Sequence, residues 1–331
     1  MNDIKEEVSF IEIKGLCKYY NKKNNHILKK SYLKAVNNFD ISISKGEIFG
    51  LVGESGCGKS TLGKMIANIV QPTSGEIIFK GIKTGLLPQK EKQKTFRKIQ
   101  IVFQDPYSSL NPKKKIGWIL EEPLKIHYKL SQNERQKKVA EILKIVGLDN
   151  EYKDRFPGEL SGGQRQRVCI AAALMLEPEV IIADESVSAL DVSIQSQILN
   201  LLKELQCSKN LTYIFVSHDL NVVHYISDRI GVMYMGHLVE VGKAEEIYLS
   251  PAHPYTRALF SVIPSIESEQ ERKPVILEGE VSSVIEPVTG CPFEPRCKEA
   301  LSVCKREFPN KTEISSGHYV FCHQAEKSYK T

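Results

Sequence analysis

Gly53-Glu54-Ser55-Gly56-Cys57-Gly58-Lys59-Ser60 follows directly on the apolar run Ile48 to Val52. It precedes Thr61 to Val70, where Leu62, Met65, Ile66 and Ile69 recur at helical spacing. Strand, glycine-rich loop and helix in that order, with the spacing G-x-x-x-x-G-K-[ST], describe a loop that cradles phosphates. Glycines let backbone N–H groups approach the charged oxygens, and the positive end of the helix faces them. Lys59 adds a point charge for the β and γ phosphates, Ser60 a hydroxyl for Mg²⁺, and Thr61 a second hydroxyl for the α phosphate. A chance match in a chain of this length is on the order of one in a hundred.

Working outward, Val180-Ile-Ile-Ala-Asp184-Glu185 is an apolar run that ends in two carboxylates. A buried strand accounts for the apolar residues, whereas side-by-side charges at a strand end are costly without a cation or a task. The expected division places Asp184 beside Mg²⁺ and Glu185 as general base for a water. Other strand-like runs are Phe10 to Ile13, Phe39 to Ser44 and Thr212 to Val216, and helical spacing recurs from Asn133 to Val146 and again after Gly163. Alternating strands and helices predict an α/β fold with a largely parallel sheet covered by helices.

Leu160-Ser161-Gly162-Gly163-Gln164 separates classes of nucleotide-hydrolysing proteins. It opens a helix and so makes a second anion-binding end. With the phosphate loop and the Asp184-Glu185 pair, it makes the chain resemble the ATP-binding cassette (ABC) ATPases over nearly its whole length. The resemblance implies a P-loop (RecA-like) core, an antiparallel β subdomain and a helical signature subdomain at about 105–175. It also implies a dimer in which Ser161, Gly162, Gly163 and Gln164 face the ATP held by the opposing subunit. Family positions carried over residue by residue are Gln104 at Mg²⁺, Asp191 in a coupling segment, His218 as the switch histidine at the γ phosphate, and Tyr20, rather than Tyr19, stacked on adenine. Two positions depart from the family pattern: Ser186 stands where Pro is usual, and Ala172 where Arg is usual.

Gln104-Asp-Pro-Tyr-Ser-Ser-Leu-Asn111-Pro112, Val187-Ser-Ala-Leu-Asp-Val-Ser-Ile-Gln and Pro251-Ala-His-Pro-Tyr-Thr-Arg-Ala-Leu narrow the resemblance to the oligopeptide and dipeptide importer ATPases, F-type subunit, a branch that also serves nickel and other small solutes. The implied assembly has two transmembrane permeases, a paralogous ATPase subunit and an extracytoplasmic binding protein, with this chain peripheral at the cytoplasmic face of the membrane. After about Pro264 the composition shifts to Pro, Glu and Ser, which divides the chain into a nucleotide-binding domain, 1–263, and a small Cys-rich C-terminal extension, 264–331.

Cys291, Cys297, Cys304 and Cys322 crowd this extension, at intervals that do not repeat and so fit a paired C-x-x-C zinc ribbon poorly. Four thiolates can hold a 4Fe-4S cluster, the ligand the resemblance also implies; Zn²⁺ and unligated thiols are the alternatives. Because the extension has few apolar residues, a staple is expected to stabilise it. Cys57, at a helix N-terminus, is expected to have a lowered pKa and to react with thiol reagents unless ATP shields it.

The 331 residues are 41% hydrophobic and 26% charged, an ordinary folded composition, and no run approaches the ~18 apolar residues of a spanning helix. The N-terminus lacks the apolar core of a secretory signal, so the expected compartment is cytoplasmic and disulfides rank below metal ligation. A net charge of +5 is too mild to argue nucleic acid as a partner, and the lysines at 22, 23, 29, 30 and 34 read as a solvated loop. A soluble ABC ATPase acting on ribosomes or nucleic acid remains the competing class. Such relatives carry two cassettes or a long coiled-coil insertion, and neither is present here.

Overall fold

The computed structural model describes residues 9–22, 31–188, 190–261 and 289–329. Lys23, Lys29, Lys30, Ala189 and the Pro- and Glu-rich stretch after Pro264 lie outside them. Twelve strands are present among the described residues: β1 (Ile11–Lys22), β2 (Ser31–Ile43), β3 (Ile48–Val52), β4 (Ser74–Phe79), β5 (Ile82–Lys83), β6 (Ile99–Val102), β7 (Val180–Asp184), β8 (Thr212–Val216), β9 (Arg229–Tyr234), β10 (His237–Lys243), β11 (Lys311–Ser315) and β12 (His318–Phe321). They form an antiparallel sheet in the order β2-β1-β4-β5 and a larger sheet in the order β11-β12-β10-β9-β3-β8-β7-β6. In the larger sheet β9, β3, β8, β7 and β6 run parallel, and β10, β12 and β11 continue it antiparallel.

Each residue of β3, β7 and β8 is buried, as expected of parallel strands covered on both faces. Side chains alternate between two cores. Ile48, Val52, Ile181, Ala183, Tyr213 and Phe215 join the helical side, whereas Phe49, Leu51, Val180, Ile182, Ile214 and Val216 pack towards the antiparallel sheet. Helices Ile116–His127, Gln132–Ile145 and Gly162–Leu174 contribute to the first core. Among the described residues, no helix is long and apolar enough to cross a membrane.

Some details differ from expectation. The helix after the phosphate loop is Lys59–Ile66, which ends four residues before the point its apolar spacing suggested. Asn68 takes a left-handed φ of 59° just beyond the C-cap, a conformation that ends a helix, and Ile69 is left 53% exposed rather than in the core. The cysteine-bearing segment is not short of a core either. Cys291, Phe293 and Cys304 belong to the main hydrophobic cluster, and β12 pairs with β10, so the described part of the tail shares the apolar interior of the larger sheet.

A buried polar knot fastens this junction. Glu240 on β10 is fully buried and accepts hydrogen bonds from the backbone N–H groups of Ala252 (2.7 Å) and His253 (2.9 Å), and its other tie is to His318 Nε2 on β12 (2.8 Å). His253 is itself buried and accepts from the Tyr255 N–H at Nδ1; burial pushes its pKa down to about 4. A histidine kept neutral in the folded chain but protonated in the unfolded one contributes stability that is present above the unfolded pKa, about 6.5, and is lost as pH falls towards the folded value. Between pH 7.5 and pH 5 this group is expected to account for about 2 kcal/mol of acid destabilisation. Urea unfolding at the two pH values should show that difference in the wild type and its loss in His253→Gln.

Candidate ATP-binding and hydrolysis site

The loop after β3 owes its shape to glycines at close approaches. Gly53 (φ 149°) and Gly58 (φ 110°) take left-handed conformations, and an added Cβ would lie 2.1 Å from the Met233 carbonyl oxygen and 2.0 Å from that of Ala35. Lys59, 4% exposed, turns its Nζ back into the loop and donates to the carbonyls of Gly53 (2.7 Å) and Glu54 (3.0 Å).

At the end of β7, Asp184 is buried, and the Ser60 hydroxyl donates to its Oδ1 at 2.8 Å. Burial pushes the Asp184 pKa up, and the Ser60 bond opposes that shift. Two hard oxygen donors from different chain segments thus meet beside Lys59, a donor set suited to Mg²⁺. Glu185 has a left-handed φ of 47°, rare for a non-glycine residue and typical of functional positions. Its N–H donates to the Val216 carbonyl on β8, and its own carbonyl accepts from the Ser188 N–H and hydroxyl. The turned backbone presents Glu185 Oε2 to two groups, Gln104 Nε2 at 2.7 Å and His218 Nδ1 at 3.4 Å. Ser186 is buried, and its hydroxyl has no hydrogen-bond partner among the described residues.

Tyr20, Leu33, Ala35, Ser55, Gly56, Gly58, Lys59, Ser60, Thr61, Gln104 and Glu185 line one cleft of about 340 Å³. Leu33 and Ala35 are additions to the residues expected from sequence. Gly53, Glu54 and Cys57 belong to the loop but do not line the cleft. The Tyr19 hydroxyl is engaged by Asn37 Oδ1 at 2.6 Å, whereas Tyr20 is 38% exposed at the cleft. For Cys57 the expectation is reversed: the thiol is 6% exposed, and burial pushes its pKa up despite the neighbouring Lys59, so it is not the reactive thiolate its helix-terminal position suggested.

Ser161 caps the helix Gly162–Leu174 in a reciprocal box with Gln164, and the Gln164 side chain also donates to Tyr152. Gly163 is pinned against Ile194, where an added Cβ would lie 2.4 Å from Cγ2. None of these signature residues lines the cleft of its own chain. Asp191 stands exposed at the N-cap of the helix Val192–Lys209.

In the tail, Cys304 Sγ accepts the Leu301 N–H at 3.4 Å, and the backbone N–H groups of Phe293, of Glu299, and of Gln324 and Ala325 oppose the rise in pKa at Cys291, Cys297 and Cys322 respectively. Burial, and then the neighbouring thiols, push Cys291 up to about 12 and Cys297 and Cys322 up as well. Among the described residues no group of three or more His, Cys, Asp or Glu side chains is set to hold a metal ion.

Compared with known proteins, residues 36–188 match the ABC transporter family, and residues 239–304 match the oligopeptide/dipeptide transporter C-terminal region, a match that begins within β10. The chain is 46% identical to the dipeptide transport ATP-binding protein DppF of Haemophilus influenzae, over 97% of this chain and 98% of that protein. It belongs to the ABC transporter ATPase family. The oligopeptide transport ATP-binding protein AppF of Bacillus subtilis is 46% identical over 95% of this chain and 97% of its own length. Among solved structures, a dimeric ATP-binding cassette in a post-hydrolysis state bound to ADP and Pi aligns with a TM-score of 0.62 at 33% identity, covering 71% of this chain and 98% of that one. The cbiO1 protein of Clostridium perfringens, part of an ABC transporter complex, aligns with a TM-score of 0.63 at 31% identity, covering 74% and 92%.

Sequence reasoning assigned no role to Tyr255, Tyr234 or Arg296, all of which touch the phosphate loop or its immediate support. The signal was present in the branch-typing segments Pro251 to Leu259 and Gly290 to Cys297, but neither carries a motif with a physical mechanism of its own.

Proposed function

We propose that this chain is the ATP-hydrolysing subunit of an importer for dipeptides or oligopeptides, seated at the cytoplasmic face of the membrane on two permease subunits and paired with a second ATPase subunit. An extracytoplasmic binding protein delivers the solute. The carrying observation is the meeting of Gln104 and His218 on Glu185 Oε2 at a cleft lined by Lys59, Ser60 and Thr61. The names of the relatives supply the peptide class.

In this reading the amides from Ser55 to Thr61 and the Lys59 ammonium hold the triphosphate, and Tyr20 stacks on the adenine. Mg²⁺, when bound, neutralises phosphate charge and is held by Ser60, Asp184 and Gln104. Glu185 takes a proton from the attacking water as it closes on the γ phosphorus, while His218 orients that water and the γ phosphate. Ser161 to Gln164 serve the ATP of the opposing subunit, and Asp191 lies in the segment that couples the two sites. The signature lies outside the cleft of its own chain, an arrangement that suits such a composite site. Reconstituted with its permeases and paired ATPase in proteoliposomes, the complex should hydrolyse ATP faster when peptide-loaded binding protein is added. A rate unchanged by any peptide would overturn the importer reading.

The finer reading of the tail is a 4Fe-4S cluster on Cys291, Cys297, Cys304 and Cys322. What supports it is the soft donor set of four cysteines close enough to act on one another electrostatically, although their sulfurs are not drawn together as ligands of one metal ion among the described residues. Anaerobic purification should yield iron and sulfide in equal amounts, and zinc without iron would refute the cluster.

A further inference from the structure

Glu54, the first variable residue of the phosphate loop, is gripped at three points. Its N–H donates to the Tyr255 hydroxyl (2.9 Å), and its carbonyl accepts from Lys59 Nζ (3.0 Å). Both carboxylate oxygens accept from the Arg296 guanidinium, Oε2 from Nη1 at 2.9 Å and Oε1 from Nη2 at 3.1 Å. Arg296 is adjacent in sequence to Cys297 and lies 242 positions beyond Glu54. Its side chain is 9% exposed, and Nη1 also reaches the Tyr234 hydroxyl at 3.3 Å.

The segment that carries Arg296 has little room to shift. Phe293 packs edge-on against Tyr234, with ring centres 5.3 Å apart, and tilted against Tyr255 at 5.4 Å. Cys291 donates its N–H to the Cys304 carbonyl, and a Cβ on Gly290 would lie 2.0 Å from that same oxygen. Tyr255 therefore touches both the loop and the tail, and Arg296 joins them by a fork of two charge-assisted bonds.

We infer that Arg296 is a positioning residue for ATP binding: by holding Glu54 it sets the phosphate loop, so nucleotide affinity depends on the seating of the cysteine-bearing tail. Two effects act in the same direction. A bidentate Arg–carboxylate pair orders the loop amides before the nucleotide arrives, which lowers the ordering cost of binding. It also neutralises a carboxylate that would otherwise stand beside a polyanion, and it steadies the carbonyl shared with Lys59. The inference rests on the reading of Gly53 to Thr61 as the ATP loop.

The test uses the full chain, with a fluorescent ATP analogue for affinity, steady-state hydrolysis by the assembled ATPase pair for KM and kcat, and thermal melting as a control for folding. Arg296→Ala should weaken analogue binding and raise KM about tenfold, with kcat changed by less than about twofold. Arg296→Lys, which keeps the charge but not the fork, should recover part of the loss. Glu54→Gln removes the charge at nearly constant shape, and on that background Arg296→Ala should cost little more. Unchanged affinity in Arg296→Ala overturns the inference, as does a lowered melting temperature with unchanged affinity, or simple addition of the Glu54→Gln and Arg296→Ala losses. Should Arg296→Ala fail to fold, Arg296→Lys and Glu54→Gln carry the same comparison. A wild-type chain that binds no analogue overturns the ATP reading itself, and the inference with it.

Discussion

Glu185→Gln is expected to lower ATP turnover about a thousandfold while ATP stays bound, a loss within the ~10²–10⁴ range associated with a general base. It corresponds to about 4 kcal/mol of transition-state stabilisation. The substitution isolates basicity because the amide oxygen of Gln can still accept from Gln104 Nε2, now 2.7 Å from Glu185 Oε2. The left-handed turn at residue 185 is secured by backbone bonds to Val216 and Ser188, which the side-chain change leaves in place. Phosphate release and analogue binding, measured on the assembled ATPase pair, would separate the two quantities. Turnover within tenfold of wild type would remove Glu185 as the base. A composite site further predicts that the variant accumulates as an ATP-bound closed dimer, seen by size-exclusion chromatography.

Lys59→Ala should have the opposite signature, with ATP affinity falling about a hundredfold or more. Charge-assisted hydrogen bonds contribute about 1.5–3 kcal/mol each, and this ammonium is placed to serve more than one phosphate oxygen. It also closes the loop on itself through the Gly53 and Glu54 carbonyls, so its removal leaves the buried Gly53 carbonyl unpaired as well, whereas that of Glu54 keeps the Cys57 N–H. Calorimetric titration with ATP would measure the loss. An affinity within threefold of wild type would contradict the assignment of this loop as the triphosphate cradle. Together the two variants separate holding the nucleotide from hydrolysing it.

Much of this site is legible in the sequence because its parts are local. The glycines of the loop, the lysine and the two hydroxyl residues occupy nine consecutive positions, and their joint chemistry requires only that a strand precede them and a helix follow. The apolar runs at β3, β7 and β8 read as buried strands for the same reason, since consecutive apolar residues need cover on both faces. Where the reading went astray, a non-local effect was stronger. Cys57 looked reactive from its place at a helix end, but packing around it raises its pKa. Ile69 is the local exception: it looked buried from its spacing, but the neighbouring Asn68 ends the helix before that turn is made.

Thus the sequence alone determined the nucleotide chemistry, the strand and helix order that supports it, and the family. Each is encoded in contiguous residues or in short motifs in fixed order. Only the tertiary structure decided which distant groups meet: Gln104 and His218 on Glu185, His318 on Glu240 across 78 positions, and Arg296 on Glu54 across 242. These contacts depend on strand order and register in the eight-stranded sheet, and on the packing of the tail against β9 and β10. The entropic cost of closing a long loop grows only slowly with its length, so separation along the chain neither forbids such contacts nor announces them.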